Sequence, residues 1–547
     1  MESPRIIVTG PRLNAAQPSE PGMFRLAQNR WDDYGYKTSY DLGYVNESGQ
    51  LRSIGMVKIL RRGQQPSDTQ LLQQSFDSLP DDFVSLGMSL DYYQRMADMP
   101  RKDRDFILEA LHDVLHNNSR MSGIDEEEGW RKSVLRDIDP NSNFMSMARI
   151  VLTQDYSALP SVDASFSFAM PGWGSSLEFS FDAPFVEDVR PYQERDGKAE
   201  LPRRVSVVIG RNGSGKSTLL SRLARVAHAS RRDRNRSRMS HIGTLNPIGL
   251  GFSRVITVSY SAFDNFQVPG MTAEDRRTIA QEISKGTGRF VFCGLRDIGA
   301  ELEAELASPS AEGDIKSPVG DRQDVTVLKS ANALAAEFSR IITRIEETKR
   351  FSLLRRALKP VLDDPSFNDV RDTLLQTIMS ADCGNAFINW STGHKIVLHV
   401  VCSLVAYVEK QALVLFDEPE THLHPPLLAA LMHSLRRVLS EQEAYAVVAT
   451  HSPVVLQETM AAHVHVISRE GGETVVQRPV GETFGENIGL LTSNVFSLTS
   501  QVTDFNDTLS KLALQTRDLQ KIEALFAEGG LSVQARAYVM AVLARQG

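Results

Sequence analysis

Residues 204–218 read Arg204-Val205-Ser206-Val207-Val208-Ile209-Gly210-Arg211-Asn212-Gly213-Ser214-Gly215-Lys216-Ser217-Thr218. The run up to Ile209 has the pattern of a buried strand, and Ser217-Thr218-Leu219-Leu220 opens a helical pattern, so the glycines fall at a strand-to-helix turn. Gly210 to Ser217 spells G-x-x-x-x-G-K-[ST] without a mismatch. Such a turn aims backbone N–H groups and the positive end of a helix at polyphosphate. Asn212, Gly213, Ser214, Gly215, Lys216, Ser217 and Thr218 then surround a nucleoside triphosphate. Lys216 reaches the β and γ phosphates, and the Ser217 hydroxyl ligates Mg²⁺.

A second apolar run, Ala412-Leu413-Val414-Leu415-Phe416, reads as a core parallel strand and ends in Asp417-Glu418-Pro419-Glu420. A carboxylate at such a strand tip can hold Mg²⁺, the part given to Asp417. Its neighbour Glu418 can act as general base on the attacking water. Trp390-Ser391-Thr392-Gly393-His394-Lys395 precedes an apolar helical pattern from Ile396 to Val408. A serine and a glycine at a helix start bind anions, although an ordinary N-cap serine looks the same. A further strand, Ala446 to Thr450, ends in His451-Ser452-Pro453. A lone histidine after a strand is usually structural. Here it follows the acidic strand by one helix, where a γ-phosphate sensor would sit.

The order P-loop, Ser-x-Gly, Asp-Glu, His resembles the ATP-binding cassette ATPases. The resemblance implies a head-to-tail dimer with two ATPs sandwiched between subunits. Lys216, Ser217, Asp417, Glu418 and His451 would serve one nucleotide, and Ser391, Gly393 and Lys395 the partner's. The family's Q-loop would fall in Ser259–Gln267, where Asp264 and Gln267 both remain open. Transporter cassettes carry a different signature, with a Gly-Gly-Gln core. The spelling D-E-P-E-T-H-L-H-P over Asp417–Pro425 looks like the RecF/OLD/SMC-like branch. No sustained heptad pattern lies between P-loop and signature, so the long arms of SMC proteins are not expected. No Asp-x-Asp pair follows His451, so no Toprim nuclease is expected either.

Trp31–Thr38, Ser85–Tyr93, Gly481–Gly489 and Asn494-Val495-Phe496 look like the ATPase subunit of Septu-type bacterial anti-phage systems, including those attached to retrons. That resemblance implies a separate HNH-type nuclease as partner, with a reverse transcriptase and its small DNA as further partners where a retron is present. ATP would license the partner's cleavage of nucleic acid. Three alternatives are a RecF-like DNA-repair ATPase, an ATP-sensing scaffold with little turnover and, last, the soluble subunit of a transporter.

The chain has 547 residues, 41% of them hydrophobic, and a net charge of −8. That suits a globular protein with a sizeable core and excludes a global nucleic-acid footprint. Cys293, Cys383 and Cys402 are scattered, fit no metal pattern and read as small core residues. No apolar run approaches the ~20 residues that span a bilayer, and the N-terminus lacks the pattern of a signal peptide, so a cytoplasmic protein is expected. Arg231, Arg232, Arg234, Arg236 and Arg238 crowd eight residues. They are either a mobile solvated loop or an electrostatic contact for a phosphate backbone.

The expected fold is α/β, an ABC-type ATPase with a mixed sheet, an antiparallel β layer and a helical insert. An α+β segment over 1–160 precedes the cassette at 160–495 (insert about 270–385), and helices fill 496–547. Strands are expected at Arg5–Val8, Tyr36–Val45 and Leu51–Leu60, the first of them pairing with the antiparallel layer of the ATPase. Helices are expected at Asp68–Leu79, Phe106–His116, Ala331–Lys349, Asn368–Ser380, Leu509–Ala527 and Val533–Gln546. A hairpin is expected from Ala164–Met170 and Ser176–Phe181, and a polar loop over Glu187–Arg203.

Overall fold

The computed structural model describes residues 5–10, 13, 20–29, 33–68, 72–138, 143–159, 165–181, 202–270, 272–307, 321–323, 325–470, 473–496, 504–526 and 530–544. The chain divides into two compact units, Met1–Phe484 and Gly485–Gly547. Most of the polar loop expected over Glu187–Arg203 lies outside the described residues.

The first unit opens with β1 (Ile6–Thr9), β2 (Phe24–Gln28), β3 (Ser39–Val45), β4 (Leu51–Arg61), β5 (Ser75–Phe76) and β6 (Phe83–Gly87). They form one sheet in the order β5-β1-β2-β3-β4-β6. Asn46 and Gly49 make the β3–β4 hairpin, with Asn46 Oδ1 accepting from the amides of Ser48 and Gln50 at 3.1 and 2.9 Å. Phe24, Tyr36, Tyr92 and Trp130 are buried in its core. The expectation that these strands join the ATPase's antiparallel layer is corrected, because β1 pairs with β2 and β5 instead. The helix expected at Asp68–Leu79 is also corrected. Phe76 enters the core from the short strand β5, and the apolar spacing of Leu72, Phe76 and Leu79 only imitates a helix. The helix expected from Phe106 starts at Arg101, behind Pro100, and stops at Ala110, where His112 at φ +54° turns the backbone left-handed.

A second sheet is antiparallel, formed by β7 (Ser165–Ala169), β8 (Leu177–Ser180) and, after β9 (Val205–Gly210), by β10 (Thr244–Asn246), in the order β10-β7-β8. The central sheet adds β11 (Val255–Ser259), β12 (Phe290–Gly294), β13 (Leu413–Asp417), β14 (Tyr445–Thr450), β15 (Val464–Glu470) and β16 (Glu473–Gln477) to β9. Its order is β12-β11-β13-β14-β9-β15-β16. All neighbours run parallel except β15 and β16 at one edge. Strands buried on both faces explain the near-continuous apolar runs of β9, β13 and β14. The P-loop helix, Lys216–His228, packs its Leu219, Leu220 and Leu223 in one core with Phe166, Phe168 and Phe179 of the antiparallel layer and Leu415 of β13. The protein is therefore α/β, with a mainly parallel central sheet, an antiparallel layer and helices.

Helices at Ala331–Glu347, Phe351–Leu362 and Cys383–Asn389 lead into the long apolar helix Thr392–Tyr407. Of the helix expected over Asn368–Ser380, only Leu374–Ile378 forms. Three ion pairs tie the N-terminal segment to the cassette, one of them at the far end of the P-loop helix. Asp91 meets His228 at 3.3 Å and Arg289 at 2.9 Å, and Arg95 meets Glu282 at 2.7 Å. Within the second unit, Leu509, Ala513, Ile522, Leu531 and Val539 form a small core. Arg517 at φ +52° breaks the expected Leu509–Ala527 helix into Asp504–Thr516 and Leu519–Glu523. Cys293, Cys383 and Cys402 are buried free thiols.

Candidate nucleotide site

The loop after β9 is shaped by glycine where no other residue fits. Gly215 caps the P-loop helix at φ +99°, a backbone state that glycine enters without the steric cost of a Cβ. A Cβ on Gly210 would come within 2.4 Å of the Ile467 carbonyl oxygen. Lys216 folds back on this loop, its Nζ donating to the carbonyls of Gly210 at 2.8 Å and Arg211 at 3.2 Å. Burial lowers its pKa, against the nearby charges of Glu418, Asp417 and Glu420. Trp173, at the turn of the β7–β8 hairpin, stands 3.3 Å from where a Gly215 Cβ would lie.

Parallel pairing of β11, β13 and β14 brings three strand ends into line, with Asp417 opposite Ser259 on one side and Ala449 on the other. Asp417 is hydrogen-bonded by the Ser217 side chain, yet its Oδ1 is buried with no hydrogen-bond partner. Burial pushes its carboxyl up to about 7, helped by the charges of Asp264 and Glu418 and opposed by Ser217 and Lys216. A buried carboxylate oxygen without a donor, beside a serine hydroxyl, suits a hard divalent cation. No group of three or more His, Cys, Asp or Glu side chains among the described residues could hold a metal by itself. A cation here would therefore share its ligands with phosphate. Asp264 and Gln267 line one small cavity with Ser217 and Asp417. Gln267 Nε2 is turned to the Arg322 carbonyl at 3.4 Å, whereas the Asp264 charge bears on Asp417.

Glu418 sits at φ +47°, and its amide donates to the Ala449 carbonyl at 2.9 Å. Across the gap, His451 Nδ1 lies 3.8 Å from Glu418 Oε1 and 3.0 Å from Glu420 Oε1. Glu420 does more than touch the ring. It also accepts from the Thr450 hydroxyl at 2.8 and 2.9 Å and from the His451 amide at 2.7 Å. Glu420, Thr450 and Trp173 are site residues that the sequence reading passed over. The second glutamate of Asp-Glu-Pro-Glu was the available signal.

Ser391 is an exposed N-cap, accepting from the His394 amide at 3.3 Å. A Cβ on Gly393 would stand 3.6 Å from the His422 carbonyl, so the signature turn abuts the turn that follows Glu420. The His394 ring packs 4.1 Å from that of Phe367. Lys395, in the first turn, is half-buried.

The five arginines do not make one strip. Arg231–Arg234 and Ser237–Ser240 are short helices, not a loop. Arg234 is buried and donates to the carbonyls of Val226, Ala227, Ile248 and Leu250. Its guanidinium therefore cannot reach a phosphate, which corrects that assignment. Arg232 turns inward to Met56 and Asp137. Arg236 and Arg238 are the exposed pair, and Arg236 lies 3.3 Å from Asp233.

Residues 316–457 match a family model described as "AAA domain, putative AbiEii toxin, Type IV TA system". The match takes in Ser391, Asp417, Glu418 and His451 but begins after the P-loop. Protein ea59 of Escherichia phage lambda is 30% identical over 501 residues, 89% of this chain and 88% of its own. Among solved structures, the ATP-binding cassette of an ABC transporter in its ADP conformation aligns at 12% identity and a TM-score of 0.26, covering 60% of this chain and 95% of that one. UvrA2 from Deinococcus radiodurans aligns at 14% identity and a TM-score of 0.25, covering 65% and 41%. No helix among the described residues is long and apolar enough to cross a membrane.

Proposed function

The chain belongs to the family of protein ea59 of phage lambda, and from that premise we propose that it is an ATPase whose nucleotide-driven closure of two copies controls a separate nuclease. A P-loop ATPase domain of ABC type supports ATP binding and hydrolysis. The observation that carries the finer reading is the convergence of Ser217, Asp417, Glu418 and a Glu420-held His451 at adjacent strand ends.

In this reading Lys216 leaves the Gly210 and Arg211 carbonyls to meet the β and γ phosphates. Ser217 and Asp417 would hold Mg²⁺, which would supply charge against the phosphate oxygens. Glu418 takes the proton of the attacking water, and Glu420 keeps the His451 ring turned toward the same point. Ser391 stands exposed at a helix N-terminus with Gly393 half-buried beside it, as a group completing another subunit's site can. Slow turnover would make the same protein an ATP-sensing scaffold.

The Septu-like stretches and the lack of a recognised nuclease motif support an HNH-type nuclease as partner, with a reverse transcriptase where a retron accompanies it, in phage defence. The test is to purify tagged Glu418→Gln chain from its host with ATP and Mg²⁺ and identify what co-elutes. A stoichiometric HNH-type protein supports the reading. DNA alone points to a repair ATPase of RecF type, and a membrane subunit overturns both.

A further inference from the structure

The nucleotide chemistry occupies the C-terminal edge of the central sheet, and a second concavity opens at the opposite edge. Arg203 and Arg204 lead into β9, which carries the chain about 20 Å from Arg204 to Gly210. The helix Pro425–Gln442 starts just after the Glu420 turn and runs back the other way. Its final turns therefore bring Arg436 and Arg437 to the edge where Arg203 and Arg204 stand. With His433 and Phe484 these four arginines line an open groove of about 440 Å³.

The groove is positive on balance: Arg436 is paired with Glu458 and Arg204 lies over the Tyr445 ring, while Arg437 is exposed and Arg203 half-buried on the wall. Glu441 is the carboxylate on its wall, and Arg356 already holds it, Nε lying 2.9 and 3.0 Å from the two oxygens. Glu458 braces Arg436 at 2.7 Å and His433 at 3.0 Å, which fixes the directions of both side chains. A guanidinium's planar fork suits a bidentate partner such as phosphate. Phe484 on the same wall is 43% exposed, an aromatic face beside a cationic track, the pairing that holds unpaired bases. An acidic protein segment would use the arginines but leave the ring idle.

We propose that this groove binds single-stranded nucleic acid, its phosphates on the arginines and a base against Phe484. The site lies at the other end of β9 from the P-loop, so it stands whether or not a nuclease partner exists.

The experiment measures fluorescence anisotropy of labelled oligothymidylate, and of a duplex of equal length, with the full chain over a salt series. Arg203→Gln with Arg437→Gln should weaken binding of the single strand at least tenfold. It should also flatten the slope of log K against log salt by about 1.4, from two lost phosphate contacts. Phe484→Ala should weaken the single strand about fivefold or more and leave the duplex unchanged. Both variants should hydrolyse ATP at the basal rate, which reports that they are folded. Failure of the unaltered chain to bind the oligonucleotide overturns the proposal, as does full affinity and slope in the arginine variant. Polyglutamate displacing the strand at equal charge would assign the groove to an acidic protein. Loss confined to Arg236→Gln with Arg238→Gln would move the contact elsewhere.

Discussion

Glu420 accepts from the Thr450 hydroxyl, the His451 amide and the His451 ring, so the direction of that ring depends on it. Small displacements of a positioned group cost rate more than binding. Glu420→Ala should therefore lower kcat about 100-fold while leaving ATP affinity nearly unchanged, and Glu420→Gln, which keeps one acceptor oxygen, should fall between. Steady-state hydrolysis beside equilibrium binding of a non-hydrolysable analogue measures both, and an unaltered kcat in the alanine variant would remove Glu420 from the site. Asp417 gives a second prediction. Its carboxyl is raised to about 7 by burial, so its proton competes with the cation. Affinity for Mg-ATP should weaken as pH falls below 7, approaching tenfold per unit. Stability follows the opposite sign. A raised carboxyl favours the fold below its unfolded value near 3.9 and loses that contribution as pH rises toward 7. Asp417→Asn should then raise the Tm of the nucleotide-free chain at pH 8 and abolish the pH dependence of binding. A lower Tm would contradict the cost of burying the Asp417 charge.

The P-loop helix is fixed at both ends, by the glycine turn at Gly215 and by Asp91 beneath His228. Burial opposes the Asp91 charge, but His228 and Arg289 overcome it and hold the carboxyl well below the usual range. Removing one partner of such a set strands the others, so Asp91→Ala should cost about 3–5 kcal/mol by chemical denaturation. A loss within experimental error would mean that the N-terminal segment does not brace the cassette. How elements could be read from the sequence follows the same physics. β9, β13 and β14 were legible because strands buried on both faces are written in unbroken apolar residues, and the phosphate loop because its backbone demands glycine. The N-terminal sheet was only partly legible. Three of its six strands, β1, β3 and β4, showed, but its closure on itself is a long-range pairing with no local mark. Helix ends were missed where His112 and Arg517 turn left-handed without a glycine to announce it. Within the Arg231–Arg238 run Arg234 was misread, because sequence cannot tell an arginine that seeks phosphate from one that ties down four carbonyls. Glu420 went unassigned since its role appears only when β13 and β14 lie side by side.

At the scale of the molecule, Ser391 is an exposed cap and Gly393 rests against the His422 turn, while Lys216 and Asp417 lie in the floor at the strand ends. Whether signature and P-loop act within one chain or across two is decided by complementation. Lys216→Ala removes a P-loop, and Ser391→Arg blocks a signature turn, so each variant alone should hydrolyse almost nothing. In a head-to-tail dimer of the two, the Ser391→Arg chain's P-loop faces the Lys216→Ala chain's signature, and that site is intact. The other site carries both defects. Random mixing makes half of the dimers mixed, and equal amounts should recover about a quarter of the unaltered activity. If each chain used its own signature, both kinds of site would be damaged in every assembly and mixing would recover nothing. In a sandwich dimer the two faces would meet through nucleotide, so assembly should depend on it. Light scattering of Glu418→Gln should show doubled mass with ATP and Mg²⁺ and a single chain without them. Recovered hydrolysis with no change of mass would place the completing surface in an assembly formed before ATP arrives.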